Sequence, residues 1–155
     1  MYAGAQDIEM LKVAGAIIQA NGERQVGDWC LPGFAWRPGA VLIARRGPDK
    51  RHPGQWELPG GKLEAGETGR ECLVRELAEE LGITVTVGAY LATNVHDYGG
   101  GPIALEAWRC HWDAGALTPS DHDAFAWVSP EQCMDFDWVA ADVPLIARFI
   151  AEPLG

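Results

Sequence analysis

The sequence has no long apolar run, since none of its hydrophobic stretches reaches the roughly 20 residues that cross a bilayer. The N-terminal segment Met1–Met10 contains no basic residue ahead of its first apolar stretch, so the pattern of a secretory signal peptide is missing. These absences predict a protein without a membrane partner that works in the cytoplasm.

Basic residues are scarce, because 12 Lys and Arg stand against 22 Asp and Glu and give a formal net charge of −10. A surface of this sign repels DNA, RNA and anionic lipid. We therefore expect no nucleic-acid polymer as a partner. A small anionic substrate would need a cation to carry it into an acidic site.

Paired cysteines are missing as well, since none of the four has the Cys-x-x-Cys spacing of common zinc sites. Scattered cysteines in a protein without secretory features are typically reduced and often buried as small apolar residues. This interpretation argues against zinc and applies to Cys30, Cys72, Cys110 and Cys133.

The composition that is present, with 48% hydrophobic and 22% charged residues, predicts a single domain over residues 1–155. Two apolar segments, Lys12–Ala20 and Ala40–Arg45, predict a strand hairpin with an unusually long connection, the loop 21–39. Aromatic residues in this loop either cover a pocket as a lid or form a subunit contact, so monomer and homodimer both stay open. They are Trp29, Phe34 and Trp36.

A helix is predicted over Thr68–Leu81. Thr68 can cap its N-terminus, Glu71 completes a capping box, and Gly82 supplies the stop. One apolar face is formed at helical spacing by Leu73, Val74, Leu77 and Leu81.

The remaining segments alternate between strand and helix patterns. Further strands are predicted over Thr84–Thr93, Ile103–Trp112 and Ala124–Val128, a turn over His96–Gly101, a small helix from Ser129, and a final helix over Asp142–Ala151. Asp142 is the expected N-cap of the last helix. This order fits one mixed sheet with helices on its faces, an α/β/α sandwich.

Three glutamates in the first helix, Glu76, Glu79 and Glu80, stand at positions i, i+3 and i+4 and so share one face. Like charges at this spacing repel, so either the face is merely solvated or a cation compensates it. Oxygen ligands favour a hard cation, Mg²⁺ or Mn²⁺. The segment Pro59-Gly60-Gly61 can bring backbone close to such a site.

The spacing around these glutamates decides against a merely solvated face. Gly61, Glu67, Arg75-Glu76-Leu77, Glu79-Glu80 and Gly82-Ile83 match every fixed position of the Nudix box, so the chain resembles the Nudix hydrolases. The resemblance to the MutT-like branch, and within it to bacterial CTP pyrophosphohydrolases and oxidised-nucleotide hydrolases, extends over further segments. These are Ala14–Ile18, Leu42–Arg46, Gln55–Lys62, Trp127–Pro130 and Ala140–Ile146.

The resemblance implies an α/β/α sandwich and Mg²⁺-dependent hydrolysis of an NTP or dNTP to a nucleoside monophosphate and pyrophosphate. It assigns Glu76, Glu79, Glu80 and the Gly60 carbonyl to the metal, and Arg75 to orienting the carboxylates. Either Glu76 or Glu79 activates the attacking water.

The resemblance also implies one more metal carboxylate before the later Trp-containing strand. Asp121 falls at that position, with Asp123 as a rival and a simple turn-forming role as the alternative. Arg46 matches an arginine that contacts substrate phosphate, or else is a surface residue. Lys62 is assigned to substrate binding from the same motif.

Base recognition is expected around Asp142 and Leu58. Asp142 matches the base-reading residue of MutT proteins, and a plain helix cap is the alternative. Leu58 stands where aromatic residues often stack on the base, and other aromatic walls are core residues by default: Tyr90, Trp108 and Phe125. The rival functions are hydrolysis of ADP-ribose or nucleotide sugars, and nucleotide sensing without turnover.

Overall fold

The computed structural model describes residues 10–22 and 26–152. The expectation for Met1–Met10 therefore lies almost wholly outside the described residues. Within the described part of the chain, no helix is long and apolar enough to cross a membrane. No disulfide links the four cysteines there, and three of them, Cys72, Cys110 and Cys133, are buried.

One mixed seven-stranded sheet forms the centre of the fold, in the order β3-β2-β1-β6-β5, with β4 paired to β1 and β7 paired to β2. β1 runs parallel to β6 along its whole length and antiparallel to β2 and β4. The strands are β1 (Leu11–Gln19), β2 (Val41–Arg46), β3 (Trp56–Glu57), β4 (Gly60–Lys62), β5 (Thr84–Asp97), β6 (Pro102–Ala114) and β7 (His122–Val128).

Helices cover both faces of the sheet, α1 (Gly69–Leu81) on one and α2 (Val143–Ala151) on the other. The alternation of strand residues separates two buried clusters. Leu42 of β2 packs in the cluster that holds α1, whereas Ile43 packs in the cluster that holds α2. The predicted α/β/α sandwich is confirmed.

Local signals position α1. The Thr68 hydroxyl accepts the Glu71 N–H at 3.1 Å, and the Glu71 carboxylate accepts the Thr68 N–H at 2.9 Å, so the predicted capping box is confirmed. Gly82 ends the helix at φ 73°, in the left-handed region that glycine favours. The prediction for Val74 was wrong: it is 47% exposed because it lies one position, about 100°, beyond the Leu73 stripe.

The hairpin of β5 and β6 is longer than the sequence pattern indicated. His96 and Asp97 still pair with Ile103 and Pro102, so the turn begins two residues later than expected. The Asp97 carboxylate accepts the N–H of Gly99 at 2.7 Å and of Gly101 at 3.2 Å. This turn places Tyr98 at the rim of the main cleft.

Short 3-10 turns replace or precede the remaining predicted helices. The segment after Ser129 is a 3-10 helix, Pro130–Asp135, and not an α-helix. Another 3-10 turn, Ala140–Asp142, comes directly before α2. In its described part, residues 26–39, the long connection contains the 3-10 turn Gly27–Trp29 and an isolated β-bridge between Cys30 and Phe125.

Candidate active site

A cleft of about 570 Å³ opens between α1, β4, the start of β7 and the turn before α2. Its lining unites residues that are far apart in sequence. Of the residues expected to act, those that line it are Arg46, Leu58, Gly60, Lys62, Glu76, Glu80, Asp121 and Asp142. Arg75 and Glu79 lie beside it and do not line it.

Arg75 organises the acidic end of the cleft. Its guanidinium donates to both oxygens of Glu67, at 2.8 and 2.9 Å, and to Glu76 at 2.7 Å and Glu79 at 3.2 Å. A fifth hydrogen bond, at 3.0 Å, reaches the carbonyl of Lys62. Hydrogen bonding to Arg75 lowers the pKa of Glu67 to about 2, so this carboxylate stays ionised and anchors the arginine.

The three clustered glutamates are not equivalent. The Glu76 side chain is 13% exposed and faces the cleft, whereas the Glu79 side chain is 61% exposed. Burial, then a hydrogen bond to Glu76 and the charges of Glu76, Asp121 and Glu57, raise the pKa of Glu80 to about 8. Negative charge in the cleft is therefore only partly compensated by Arg75.

This donor set suits a hard cation, because the carboxylates of Glu76, Glu80 and Asp121 line the same cleft and offer oxygen ligands. Within residues 10–22 and 26–152, however, no three acidic, histidine or cysteine side chains already form a closed metal-binding group. The carboxylates are neighbours around the cleft and have not converged on one point.

Two glycines allow β4 to approach this cluster. A Cβ on Gly60 would lie 1.9 Å from the Ala14 carbonyl oxygen, and a Cβ on Gly61 would lie 2.4 Å from the Glu76 carboxylate. Any larger residue would push β4 away from β1 or from α1. The glycines thus bring the backbone of β4 against the acidic helix face.

The structure separates the two aspartates that competed for the extra carboxylate. Asp121 lines the cleft and pairs with Lys50 at 2.9 Å, while Asp123 pairs with Arg45 at 2.8 Å and does not line it. Asp121 lies just before β7, whereas Asp123 lies within the strand next to His122, whose side chain lines the cleft, so the Asp123 side chain points to the other face.

Glu57 and His122 are among the cleft residues that were not singled out from the sequence. Glu57 accepts from His122 Nε2 at 2.8 Å and from Arg46 Nη1 at 2.8 Å. Burial alone would raise the pKa of Glu57, but these two partners hold it below its ordinary value. In the sequence, Glu57 adjoins Leu58 and His122 adjoins Asp121, and both of these neighbours were expected at the site. No motif spacing in the sequence connects Glu57 with His122.

The other end of the cleft contains Asp142, which is 5% exposed. Its carboxylate accepts the N–H of Leu58 at 2.8 Å, and burial raises its pKa to about 8. Asp142 is the N-cap residue of α2, as expected, but its side chain makes no capping hydrogen bond. The backbone of Asp142 is already helical, and its side chain turns towards the link between β3 and β4.

The wall beside Asp142 is held in place by the β5–β6 hairpin. The Tyr98 hydroxyl accepts the Ala141 N–H at 2.7 Å, and the Asn94 amide donates to the Ala141 carbonyl at 3.0 Å. The ring of His52 packs on Tyr98 with centroids 4.6 Å apart. Leu58 is buried and also lines the cleft, as do the rings of Tyr98 and His52.

The aromatic residues considered from the sequence do not line this cleft. Phe125 is buried in the core and Trp108 packs against it, as the default interpretation held. Tyr90 differs, because 51% of it is exposed and its ring contacts Trp108 edge-on.

The long connection does not form a lid in its described part, since no residue of 26–39 lines the cleft. It covers the free edge of β7 instead: the Leu31 N–H bonds to the Phe125 carbonyl at 2.8 Å, and the Trp127 N–H bonds to the Phe34 carbonyl at 2.9 Å. Covering an edge strand in this way prevents pairing with other chains. A subunit contact through the exposed Trp29 stays a prediction.

Comparison with known proteins places this geometry in a family. The NUDIX domain model matches residues 31–149. The CTP pyrophosphohydrolase of Escherichia coli K12 is 42% identical over 74% of this chain and 85% of its own length. The putative 8-oxo-dGTP diphosphatase 2 of Mycobacterium tuberculosis H37Rv is 44% identical over 69% and 77%.

Solved structures agree. The solution structure of the E. coli ORF135 protein has a TM-score of 0.73 and 36% identity, and the match covers 94% of this chain and 92% of that one. The MutT protein of Methanosarcina mazei, at 23% identity and a TM-score of 0.74 over 94% and 96%, supports the fold alone. With a domain model that matches most of the chain, the complete box around α1 and a matching fold, the chain belongs to the Nudix family.

Proposed function

We propose that the protein hydrolyses nucleoside triphosphates carrying cytosine or an oxidised or modified base, in the ribose or deoxyribose form, to a nucleoside monophosphate and pyrophosphate. The observation that carries the proposal is one cleft with two different ends. Glu76, Glu80 and Asp121 lie at one end, and the buried Asp142 lies at the other. The similarity to a CTP pyrophosphohydrolase and to 8-oxo-dGTP diphosphatases supports it.

Nudix hydrolases generally use divalent metals, and the donor chemistry of the acidic end fits Mg²⁺ or Mn²⁺. When bound, such an ion neutralises phosphate charge and lowers the pKa of a coordinated water. The groups that would hold it are Glu76, Glu79, Glu80, Asp121 and the carbonyl of Gly60.

The protein's own side chains complete the site. Arg75 fixes Glu76 and Glu79 through charge-assisted hydrogen bonds, which limits the ways in which they can rotate. Glu76 lines the cleft and Glu79 does not, which favours Glu76 as the group that takes the proton of the attacking water. Arg46 and Lys62, both at the cleft, are placed to bind the polyphosphate.

Asp142 would select the base. One carboxylate oxygen is occupied by the Leu58 N–H, which leaves the other for the substrate. Ionised, the carboxylate accepts a hydrogen bond from the exocyclic amine of cytosine. Protonated, as burial favours, it can also donate to a base carbonyl of an oxidised purine.

The test is a hydrolysis screen over canonical, methylated and oxidised nucleotides with Mg²⁺ or Mn²⁺, in which pyrophosphate is measured. We expect pyrophosphate release from CTP, dCTP or an 8-oxo-guanine nucleotide, and none from the Glu76→Gln protein. Nucleotide binding without release would identify a sensor. Faster release of AMP from ADP-ribose than of pyrophosphate from any triphosphate would identify the rival hydrolase.

A further inference from the structure

His122 is an unusual choice for the start of β7. Its side chain is 3% exposed, and Nε2 lies 2.8 Å from a Glu57 oxygen. The other ring nitrogen, Nδ1, is buried and has no hydrogen-bond partner among the described residues. A buried polar atom without a partner destabilises the folded state, so an apolar residue against Phe125 would serve the fold better.

The partner of His122 leads directly to the predicted phosphate-binding residue. Glu57 is held at both oxygens, Oε2 by His122 and Oε1 by Arg46 Nη1 at 2.8 Å. The Arg46 Nε donates to the carbonyl of Arg51. Within the described part of the chain, only the Nη2 group of this guanidinium is without a partner, and Arg46 lines the cleft.

A glutamate with two available oxygens would bind arginine differently. Carboxylates and guanidinium groups commonly pair through two parallel hydrogen bonds. Such a pair between Glu57 and Arg46 would occupy a second guanidinium nitrogen and compete with substrate phosphate. In the structure Oε2 of Glu57 faces His122 Nε2, and Arg46 makes a single hydrogen bond to Glu57, at Oε1.

We propose that His122 is a positioning residue for substrate binding: by holding the second oxygen of Glu57, it keeps the Nη2 edge of Arg46 available to the polyphosphate. The proposal rests on the proposed function, since it needs a phosphate chain in the cleft. His122 does not touch the substrate. It acts through Glu57 and Arg46.

Three replacements of His122 test the idea by steady-state kinetics with the best triphosphate of the screen. His122→Leu removes the hydrogen-bond donor to Glu57. We expect KM to rise about tenfold while kcat stays within about twofold, because the lost interaction stabilises the bound substrate and the transition state equally. His122→Gln places an amide N–H at the reach of Nε2 and should restore KM to within about threefold of the original. His122→Asn is too short to reach Glu57, and should resemble His122→Leu without introducing an apolar group.

The matched control is His111→Gln. His111 also pairs with a carboxylate, Asp113 at 2.8 Å, but it lies on β6 away from the cleft. This variant should keep the original KM and kcat.

A double-mutant cycle separates positioning from general damage. In an Arg46→Gln background, His122→Leu should raise KM no further, because its effect passes through Arg46. Thermal unfolding of each variant records any loss of stability independently. An unchanged KM in both His122→Leu and His122→Asn, or an equal rise in KM with and without Arg46, would overturn the proposal.

The failure of the proposed function is recognisable by itself, since the unaltered protein would then release no pyrophosphate from any nucleotide. In that case the role of His122 is judged by calorimetry with inorganic tripolyphosphate and Mg²⁺. His122→Leu must weaken this binding about tenfold and His122→Gln must not. Equal binding by all three proteins would overturn the proposal there too.

Discussion

At the α1 end of the cleft, Arg75 contacts Glu67, Glu76 and Glu79, and the side chains of Glu79 and Asp121 are partly open to solvent. At the α2 end, Asp142 is buried, and the Leu58 N–H is its one hydrogen-bond partner among the described residues. At the α1 end several carboxylates share the Arg75 guanidinium, whereas the α2 end holds one carboxyl group that burial drives towards its neutral form.

The difference separates chemistry from selection. Charged groups at a partly wet end can gather a cation and a polyphosphate, whose interactions are strong and insensitive to the base. At a buried end from which water is excluded, each hydrogen bond that a base makes or fails to make changes the binding free energy more than it would in water. Discrimination between similar bases requires such differences. Variants at the two ends should therefore change different kinetic parameters.

The largest effect is expected from the acidic end. Glu76→Gln and Glu80→Gln should each lower kcat by about 100-fold or more, since each removes a charged oxygen from the site proposed for the metal. Glu79→Gln should also lower kcat, but only by about tenfold, because the Glu79 side chain points to solvent. The measurement is steady-state pyrophosphate release, with the exposed Glu131→Gln as control.

The order of the kcat values of these three variants tests whether the acidic end of the cleft carries the chemistry. Normal turnover in Glu76→Gln would remove the acidic end from the reaction. A change in base preference in any of the three would contradict the separation of the two ends.

The second effect concerns the base end. Asp142→Asn should shift the ratio of kcat/KM values from cytosine towards 8-oxo-guanine nucleotides by about tenfold, because an amide always presents a donor and can no longer become the acceptor-only carboxylate that the cytosine amine prefers. The kcat for the substrate that the Asp142→Asn protein prefers should stay close to that of the original protein. An unchanged substrate ranking would show that Asp142 only supports the Leu58 backbone.

The third effect is a pH dependence of stability. The pKa of Asp142 is about 8 in the folded protein against an ordinary 3.8, so the folded state binds more protons between these values. Its contribution to the free energy of unfolding is therefore full at low pH and decreases as pH rises through the folded pKa. Thermal melts of Asp142→Asn should lose less stability than the original protein as pH increases towards 8.

Glu80 has a raised pKa of the same sign, and it is present in both proteins. The difference between the two melting curves therefore isolates Asp142. Parallel curves across this range would mean that Asp142 is ionised when buried.

The smallest effect is on thermal stability with metal. Saturation at about 100 times the dissociation constant adds about 2.7 kcal/mol, and each kcal/mol raises Tm by about 2–4 °C in a domain of this size. Adding Mg²⁺ or Mn²⁺ should therefore raise the Tm of the original protein by several degrees. The increase should survive in Asp142→Asn and shrink in Glu76→Gln, and an equal increase in both would place the cation elsewhere.

Much of the acidic end could be predicted from the sequence because its determinants are local. Thr68, Glu71 and Gly82 define the ends of α1 through hydrogen bonds to neighbouring backbone, and the helical period places Arg75 beside Glu76 and Glu79. Val74 shows the limit of the same rule, since an apolar residue one step from the buried stripe faces solvent.

The base end depended on contacts that no spacing encodes. Leu58 and Asp142 are 84 residues apart, and Glu57 and His122 are 65 apart, yet each pair is joined at 2.8 Å. A side chain such as Asp142 can cap its own helix or reach another segment, and only the packed fold offers both partners at once.

The sequence by itself determined the family box, the helix that carries it and the mixed sandwich, because caps, periodicity and glycine positions act over a few residues. The tertiary structure alone decided which carboxylates face the cleft, that Asp121 and not Asp123 lines it, and that Asp142 is buried against Leu58. These outcomes follow from the packing of distant strands, which sets burial and therefore the charge and the partners of each group.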